Sequence, residues 1–152
     1  MKTVTTWAAV AVVVVIGSAG RVFAAKLVTS ERPFISVTTR PDRLDLGTAP
    51  LMGSLELRAA LTVEVEANCA HGPILLSATP LNRRSGGSIG TDRIAVRTAA
   101  TDGYVAMNRP VAISKPANGS HRIVVDVKVD APAGYPAGDY NGVFTFMIMP
   151  PV

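Results

Sequence analysis

The sequence predicts an all-β protein, a single antiparallel two-sheet β-sandwich of the immunoglobulin-like kind, preceded by an N-terminal signal peptide. Apolar and polar residues alternate with a period of two across residues 54–67 and 122–129, which gives each strand one dry and one wet face. Short runs rich in Val, Ile and Thr are divided at regular intervals by Pro, Gly, Asn and Asp, the punctuation of turns between strands. No stretch of useful length carries the 3.6-residue apolar period of a helix. Together these favour a sandwich, with a closed barrel as the alternative architecture.

The chain has 152 residues, enough for one domain. Its start reads as a targeting segment. Lys2 gives a positive beginning, no charge follows until Arg21, and residues 7–16 are an apolar run of signal-peptide length. Val22 and Ala24 supply the slim residues wanted three and one places before a cut, so cleavage is expected after Ala24. An uncleaved anchor is the alternative, since residues 3–20 are uncharged, but the strongly apolar part is short for a span. The expected organisation is therefore a signal peptide at 1–24, an arm at 25–33 and the β-sandwich at 34–152.

Within that domain, residues 34–39 form a β-branched run closed by Pro41 and Asp42, and residues 44–47 a short strand that Gly47 stops. From 54 to 67 the odd positions Leu55, Leu57, Ala59, Leu61, Val63, Val65 and Ala67 are apolar, and most even ones are polar. Fourteen residues exceed an ordinary strand of about six, which predicts a bend or bulge near residues 58–60, or two consecutive strands. Pro73 and Pro80 bracket a strand at 74–79, and residues 82–88 are polar and glycine-rich, hence a loop. Strands are expected at 93–98, 104–107 and 111–114, and Asn118-Gly119 reads as a tight turn. Residues 122–129 alternate, 130–138 connect, and the last strand runs over 139–149. In it Tyr140, Phe144, Phe146 and Ile148 line one face while Val143, Met147 and Met149 crowd the other.

Charge excludes one class of partner. The full chain carries 15 Lys and Arg against 11 Asp and Glu, but Lys2 and Arg21 leave with the signal, so the remainder holds 13 against 11. Arg83-Arg84 is its densest basic spot, far from the basic face that nucleic-acid binding needs. Cys69 is the sole cysteine, so no intrachain disulfide forms.

Chemistry has few footholds. Cys69, His71 and His121 are the one group with metal-ligand character. A single Cys-x-His pair with one distant His is better read as a buried thiol beside a surface histidine, and no metal or cofactor is expected. Glu64 and Glu66 share a face, where a solvated surface fits better than an acid–base pair. Ser77, Ser85, Ser88, Ser114 and Ser120 lack a nucleophile-elbow context. Gly86-Gly87-Ser88 lacks the lysine of a phosphate loop, and Asn118-Gly119-Ser120 matches a glycosylation acceptor that a plain hairpin turn explains equally well. No catalytic, cofactor-binding or metal residue is assigned, and no enzymatic activity is expected.

The segment Tyr135-Pro136-Ala137-Gly138-Asp139-Tyr140-Asn141-Gly142, continuing into Val143-Phe144-Thr145-Phe146-Met147-Ile148, resembles the closing hairpin of bacterial spore coat protein U-like and fimbrial-type domains. Residues 61–69, which end in Cys69, are similar to an early strand of the same domains. The resemblance implies an immunoglobulin-like sandwich, export to the periplasm or surface, and assembly into pili or a coat by strand exchange with a chaperone. The pattern's partner cysteine is missing, and Pro150-Pro151-Val152 stand where those domains carry a terminal aromatic.

The expected function is that of an exported, non-catalytic structural or surface-assembly protein, joining copies of itself or a periplasmic chaperone by strand addition. No contact with nucleic acid is expected, nor with membrane once the signal is cleaved. The alternatives are a monomeric secreted ligand-binding sandwich using residues 82–88 and 131–138, and a small periplasmic metal-binding protein using Cys69, His71 and His121.

Overall fold

A computed structural model describes residues 32–45, 53–131, 134–136 and 138–150. The expected signal peptide, most of the arm at 25–33, and part of the short strand at 44–47 lie outside the described residues.

The described chain is all β, with one 3-10 turn at Thr91–Arg93. Its strands are β1 (Ile35–Arg40), β2 (Gly53–Ala67), β3 (Ala70–His71), β4 (Ile74–Ala78), β5 (Leu81–Arg83) and β6 (Ser88–Ile89). There follow β7 (Ile94–Arg97), β8 (Val105–Ala106), β9 (Val111–Ala112), β10 (Ala117–Asn118), β11 (His121–Ala131), β12 (Tyr140–Asn141) and β13 (Phe144–Ile148). All pairings are antiparallel. The largest sheet has the order β1-β2-β11-β7-β8, and the others are β13-β4-β9, β12-β5-β6 and β10-β3.

The long alternating segments pair with each other. β11 lies along β2 from His121 opposite Val65 to Ala131 opposite Gly53, and so brings both dry faces to one side. Leu61, Val63 and Val65 of β2 and Ile123, Val125, Val127 and Val129 of β11 are buried. One contiguous core joins them to Ile94 and Val96 of β7, Ile74 and Leu76 of β4, Ile89 of β6 and Val111 of β9. Phe144, Phe146 and Ile148 of β13 pack against it from the edge.

The expected irregularity in β2 is a bulge. Val125 pairs with Leu61 and Val127 with Leu57, so residues 58–60 lie opposite Asp126 alone. Two extra residues restore the alternation beyond the bulge, which is why the odd register runs from Leu55 to Ala67 without a slip. Inside it the faces exchange: Ala59, at φ 49, is exposed and Ala60 is buried, the reverse of simple alternation.

Hydrogen bonding divides the described residues into four sheets where the sequence suggested two. The chain leaves β4 for β5 at Thr79-Pro80, and leaves β12 for β13 at Gly142-Val143, directly opposite. Thr79 N–H donates to the Val143 carbonyl at 3.0 Å, and Val143 N–H to Thr79 Oγ1 at 2.9 Å. Pro80 has no N–H to continue the ladder, and a Cβ at Gly142 would stand 2.6 Å from Leu81 Cδ2 and 3.3 Å from the Pro80 carbonyl. The expected single strand over 139–149 is therefore two. Residues 82–88 are likewise a hairpin, not a plain loop: β5 and β6 pair around Gly86 and Gly87, both at positive φ. Asn118-Gly119 turns the chain with Gly119 at φ 79, but joins β10, which pairs with β3, to β11, which pairs with β2. It is a passage between sheets and not a hairpin.

Candidate functional site

β13 is an edge strand among the described residues. Its pairing with β4 runs from Phe144 opposite Ala78 to Ile148 opposite Ile74. Beyond the strand, Met149 N–H donates to the Pro73 carbonyl at 3.1 Å, and the Met149 carbonyl accepts Gly72 N–H at 2.9 Å. Val143 and Met149 thus both turn their backbone groups toward β4 and its flanks. Because backbone direction alternates along a strand, Thr145 and Met147 do the same, and Phe144, Phe146 and Ile148 direct N–H and C=O to the open side.

Met147 of this strand and Val143 just before it expose apolar side chains, at 52% and 62% of their full surface. No charged residue occurs after Asp139. Edges are normally guarded by lysine, proline or a charge pointing along the strand. β1, one edge of the large sheet among the described residues, exposes the polar Ser36 and Thr38 and the charged Arg40. β13 has Pro150 only beyond its end. The start of the described chain is held at the β2–β3 corner. Phe34 N–H donates to Asn68 Oδ1 at 2.8 Å, and Asn68 Nδ2 donates to the Arg32 carbonyl at 3.0 Å.

The structure rearranges the Cys69, His71 and His121 group. β2 stops at Ala67, and a bend at residues 68–69 breaks the odd register before β3 begins. Cys69 is consequently half-buried, its Sγ 3.8 Å from the Phe34 carbonyl, while His71 is 2% exposed. The expectation of a buried thiol beside a surface histidine is corrected on both counts. His71 instead stacks on His121, with ring centres 5.1 Å apart and planes inclined by 11°. Among the described residues no group of three or more His, Cys, Asp and Glu side chains could hold a metal ion, so Cys69 does not complete a set with the two histidines.

Glu64 lies across from Arg122 on the wet face and pairs with it at 3.0 Å, with Arg40 at 3.6 Å on the other side. Glu66 is exposed. Ser120 Oγ accepts the N–H of Ala67 at 3.1 Å, and Ser114 Oγ that of Ile74 at 3.1 Å, so both hydroxyls serve backbone pairing.

A polar cluster that the sequence did not single out surrounds the bulge. Asp126 accepts Ala59 N–H at 2.7 Å and the Arg97 guanidinium at 2.7 and 3.0 Å. The backbone donor first, then Arg97, hold the Asp126 carboxyl below its usual value, and Asp126 in turn raises Arg97. Arg97 also lies over the Tyr104 ring at 4.7 Å. Asp126 stays ionised, which suits a bulge anchor and not a proton donor. Alternation placed Asp126 on the wet face, but only the pairing of β11 with β2 and β7 gives it partners.

An open groove of about 460 Å³ lies beside Ser114, Lys115, Arg122 and Val124, away from the loops expected to bind a ligand. No helix among the described residues is long and apolar enough to cross a membrane.

No family model matches the chain, and no curated protein matches it. Among solved structures it is similar to a family 123 glycoside hydrolase from Clostridium perfringens, studied for glycolipid glycan hydrolysis, at 14% identity and a TM-score of 0.40. That match covers 61% of this chain and 18% of the enzyme. The expectation of a protein without enzymatic activity is corrected here: the matched structure is that of an enzyme, and a non-catalytic role is no longer held. A likeness this partial assigns the chain no reaction.

Proposed function

We infer that the protein is an exported surface-assembly or structural subunit, built as an immunoglobulin-like sandwich, whose β13 edge receives a strand from a second copy of the chain. The observation that carries this reading is the edge itself. It offers the backbone groups of Phe144, Phe146 and Ile148 with no charged side chain after Asp139 to repel an incoming strand. Val143 and Met147, exposed on the outer face, supply apolar area beside the new pairing.

Three further observations support it. The core is shared by the five-stranded sheet and by β4 and β9 of a second sheet, as two packed layers require. Tyr140 Oη donates to the Pro136 carbonyl, four residues upstream, at 2.8 Å, a corner that immunoglobulin-like sandwiches use. The leader at residues 1–24 and the resemblance of residues 135–148 to fimbrial-type domains favour export and assembly.

The test is the oligomeric state of the purified chain against concentration, by light scattering on a sizing column. Assembly is expected, and Met147→Lys is expected to return a folded monomer, because a lysine on an edge disfavours strand addition. A wild type that stays monomeric at all concentrations would end the proposal.

A further inference from the structure

We propose that the groove beside the first half of β11 is a slot for an extended, acidic peptide of a partner protein, which pairs with the backbone of Arg122 and Val124 and so prolongs β7. β11 spans His121–Ala131, but β7 covers only its later part, from Asp126 opposite Arg97 to Val129 opposite Ile94. The direction of the uncovered backbone groups follows from the ladder. Met107 N–H donates to the Ile94 carbonyl at 2.8 Å, so Ile94 and Val96 turn their backbone groups to β8, and Ala95 and Arg97 turn theirs to β11. Their partners Lys128 and Asp126 face β7 in return. Burial alternates along β11 without a slip from Ile123 to Val129, so Val124 and Arg122 point N–H and C=O to that same side. β7 has ended there, and among the described residues nothing pairs with those groups.

β7 stops for a local reason. Thr98 N–H donates to Thr101 Oγ1 at 2.9 Å, and the Thr98 carbonyl accepts the Thr101 N–H at 3.2 Å. Thr98 Oγ1 donates to the Ile113 carbonyl at 3.0 Å and accepts the Ala100 N–H at 3.1 Å. The chain thus turns away before Ala99 and Thr101 can come opposite Val124 and Arg122, where the register of β7 would otherwise bring them. What remains is the open groove of about 460 Å³, which Ala99 and Ala100 of the turn line together with Lys115, Arg122 and Val124.

The lining selects the occupant. Unpaired N–H and C=O groups on a strand take an extended backbone. Val124 and Arg122 share the outer face of β11, and both are exposed. A strand running in the direction of β7 therefore sets one side chain beside Val124 and, two residues later, another beside Arg122. The first is apolar, because Val124 presents 46% of its surface to be covered. The second is acidic, because Lys115 and Arg122 line the groove and no carboxylate does. Glu64 holds the Arg122 guanidinium from the β2 side at 3.0 Å, and Lys115 adds a second, exposed charge. The slot borders the five-stranded sheet, whereas β13 belongs to another, so it stands independently of assembly through the β13 edge.

The probe is a capped pentapeptide, acetyl-Thr-Val-Thr-Glu-Thr-amide, titrated to millimolar concentration into the full 15N-labelled chain. Shifts of the Arg122 and Val124 amides are expected, with slower hydrogen exchange at both. N-methylation of the peptide's valine and glutamate removes the donors that face β11 and is expected to abolish the response. Replacing the peptide's glutamate by lysine, or Lys115→Glu in the protein, is expected to weaken binding roughly fivefold, the upper range for losing an exposed ion pair. Lys115 is exposed, and a thermal melt reports that the variant is folded. The proposal is overturned if neither amide responds, if the N-methylated peptide binds as well as its parent, or if both charge reversals leave binding unchanged. It is overturned equally if the two amides become protected as protein concentration rises without peptide, since the occupant is then a second copy of the chain.

Discussion

Asp126 accepts the backbone N–H of Ala59 at 2.7 Å and thereby holds the one non-glycine residue with positive φ among the described residues. The left-handed conformation opposes the Cβ of alanine by roughly 1 kcal/mol, and the charged hydrogen bond, worth about 1.5–3 kcal/mol in favourable settings, offsets it. The bulge exists because the two β-strands differ by two residues between Leu57–Leu61 and Val125–Val127. Asp126 is the side chain that occupies the gap.

Asp126→Ala is accordingly expected to lower stability by about 1–2 kcal/mol, toward the low end of the range for charged hydrogen bonds because water reaches the freed N–H. Chemical denaturation at neutral pH measures it. A variant as stable as the parent would mean that the bulge closes without its anchor.

The same carboxylate makes stability depend on pH. Its folded-state value lies below the ordinary one, so its contribution is complete above the ordinary carboxylate range and is lost as pH falls through the depressed value. The stability difference between the parent and Asp126→Asn is expected to be constant near neutrality and to shrink below about pH 4. A difference that widens on acidification contradicts the assignment.

Ala59→Gly tests the strain from the other side. Glycine accepts φ 49 at no steric cost, and with Asp126 still in place the substitution is expected to stabilise by up to about 1 kcal/mol. A fall in melting temperature would show that Ala59 is held by packing and not merely tolerated.

Gly72→Ala addresses the end of the β13 edge. The new Cβ would stand 2.6 Å from the Pro150 carbonyl and 2.9 Å from that of Met149, both backbone atoms. Crowding of this kind costs about 1–3 kcal/mol. Faster hydrogen exchange of the Gly72 and Met149 amides, with the β2–β11 ladder unchanged, is the expected signature.

Core truncation should separate the layers from the surface. Leu76, fully buried in β4, is expected to lose about 2–5 kcal/mol as alanine. Val124, exposed on the outer face of β11, is expected to change stability by less than about 0.5 kcal/mol. Equal effects at the two positions would contradict the inward register of β11.

Much of the fold was legible from alternation. Leu61, Val63 and Val65, and Ile123, Val125, Val127 and Val129, are buried as their spacing requires, and the excess length of the first segment announced the bulge. Where the reading failed, the cause was a local break in period: the bend at residues 68–69 exposed part of Cys69 and buried His71, and the Pro80 and Gly142 pair cut one expected strand into two. The stacking of His71 on His121 had no signal, since the two lie fifty residues apart in sequence.

By itself the sequence determined which side chains shun water and in what period, because a strand's two faces are set by local geometry and nothing else. Which strands stand beside which was decided only by the tertiary structure. Pairing β11 with β2 made Asp126 a partner of Ala59, and leaving β13 at a margin made Phe146 a free edge among the described residues. Hydrogen bonds between distant segments carry no periodic mark in either segment, so their partners emerge only when the chain is folded.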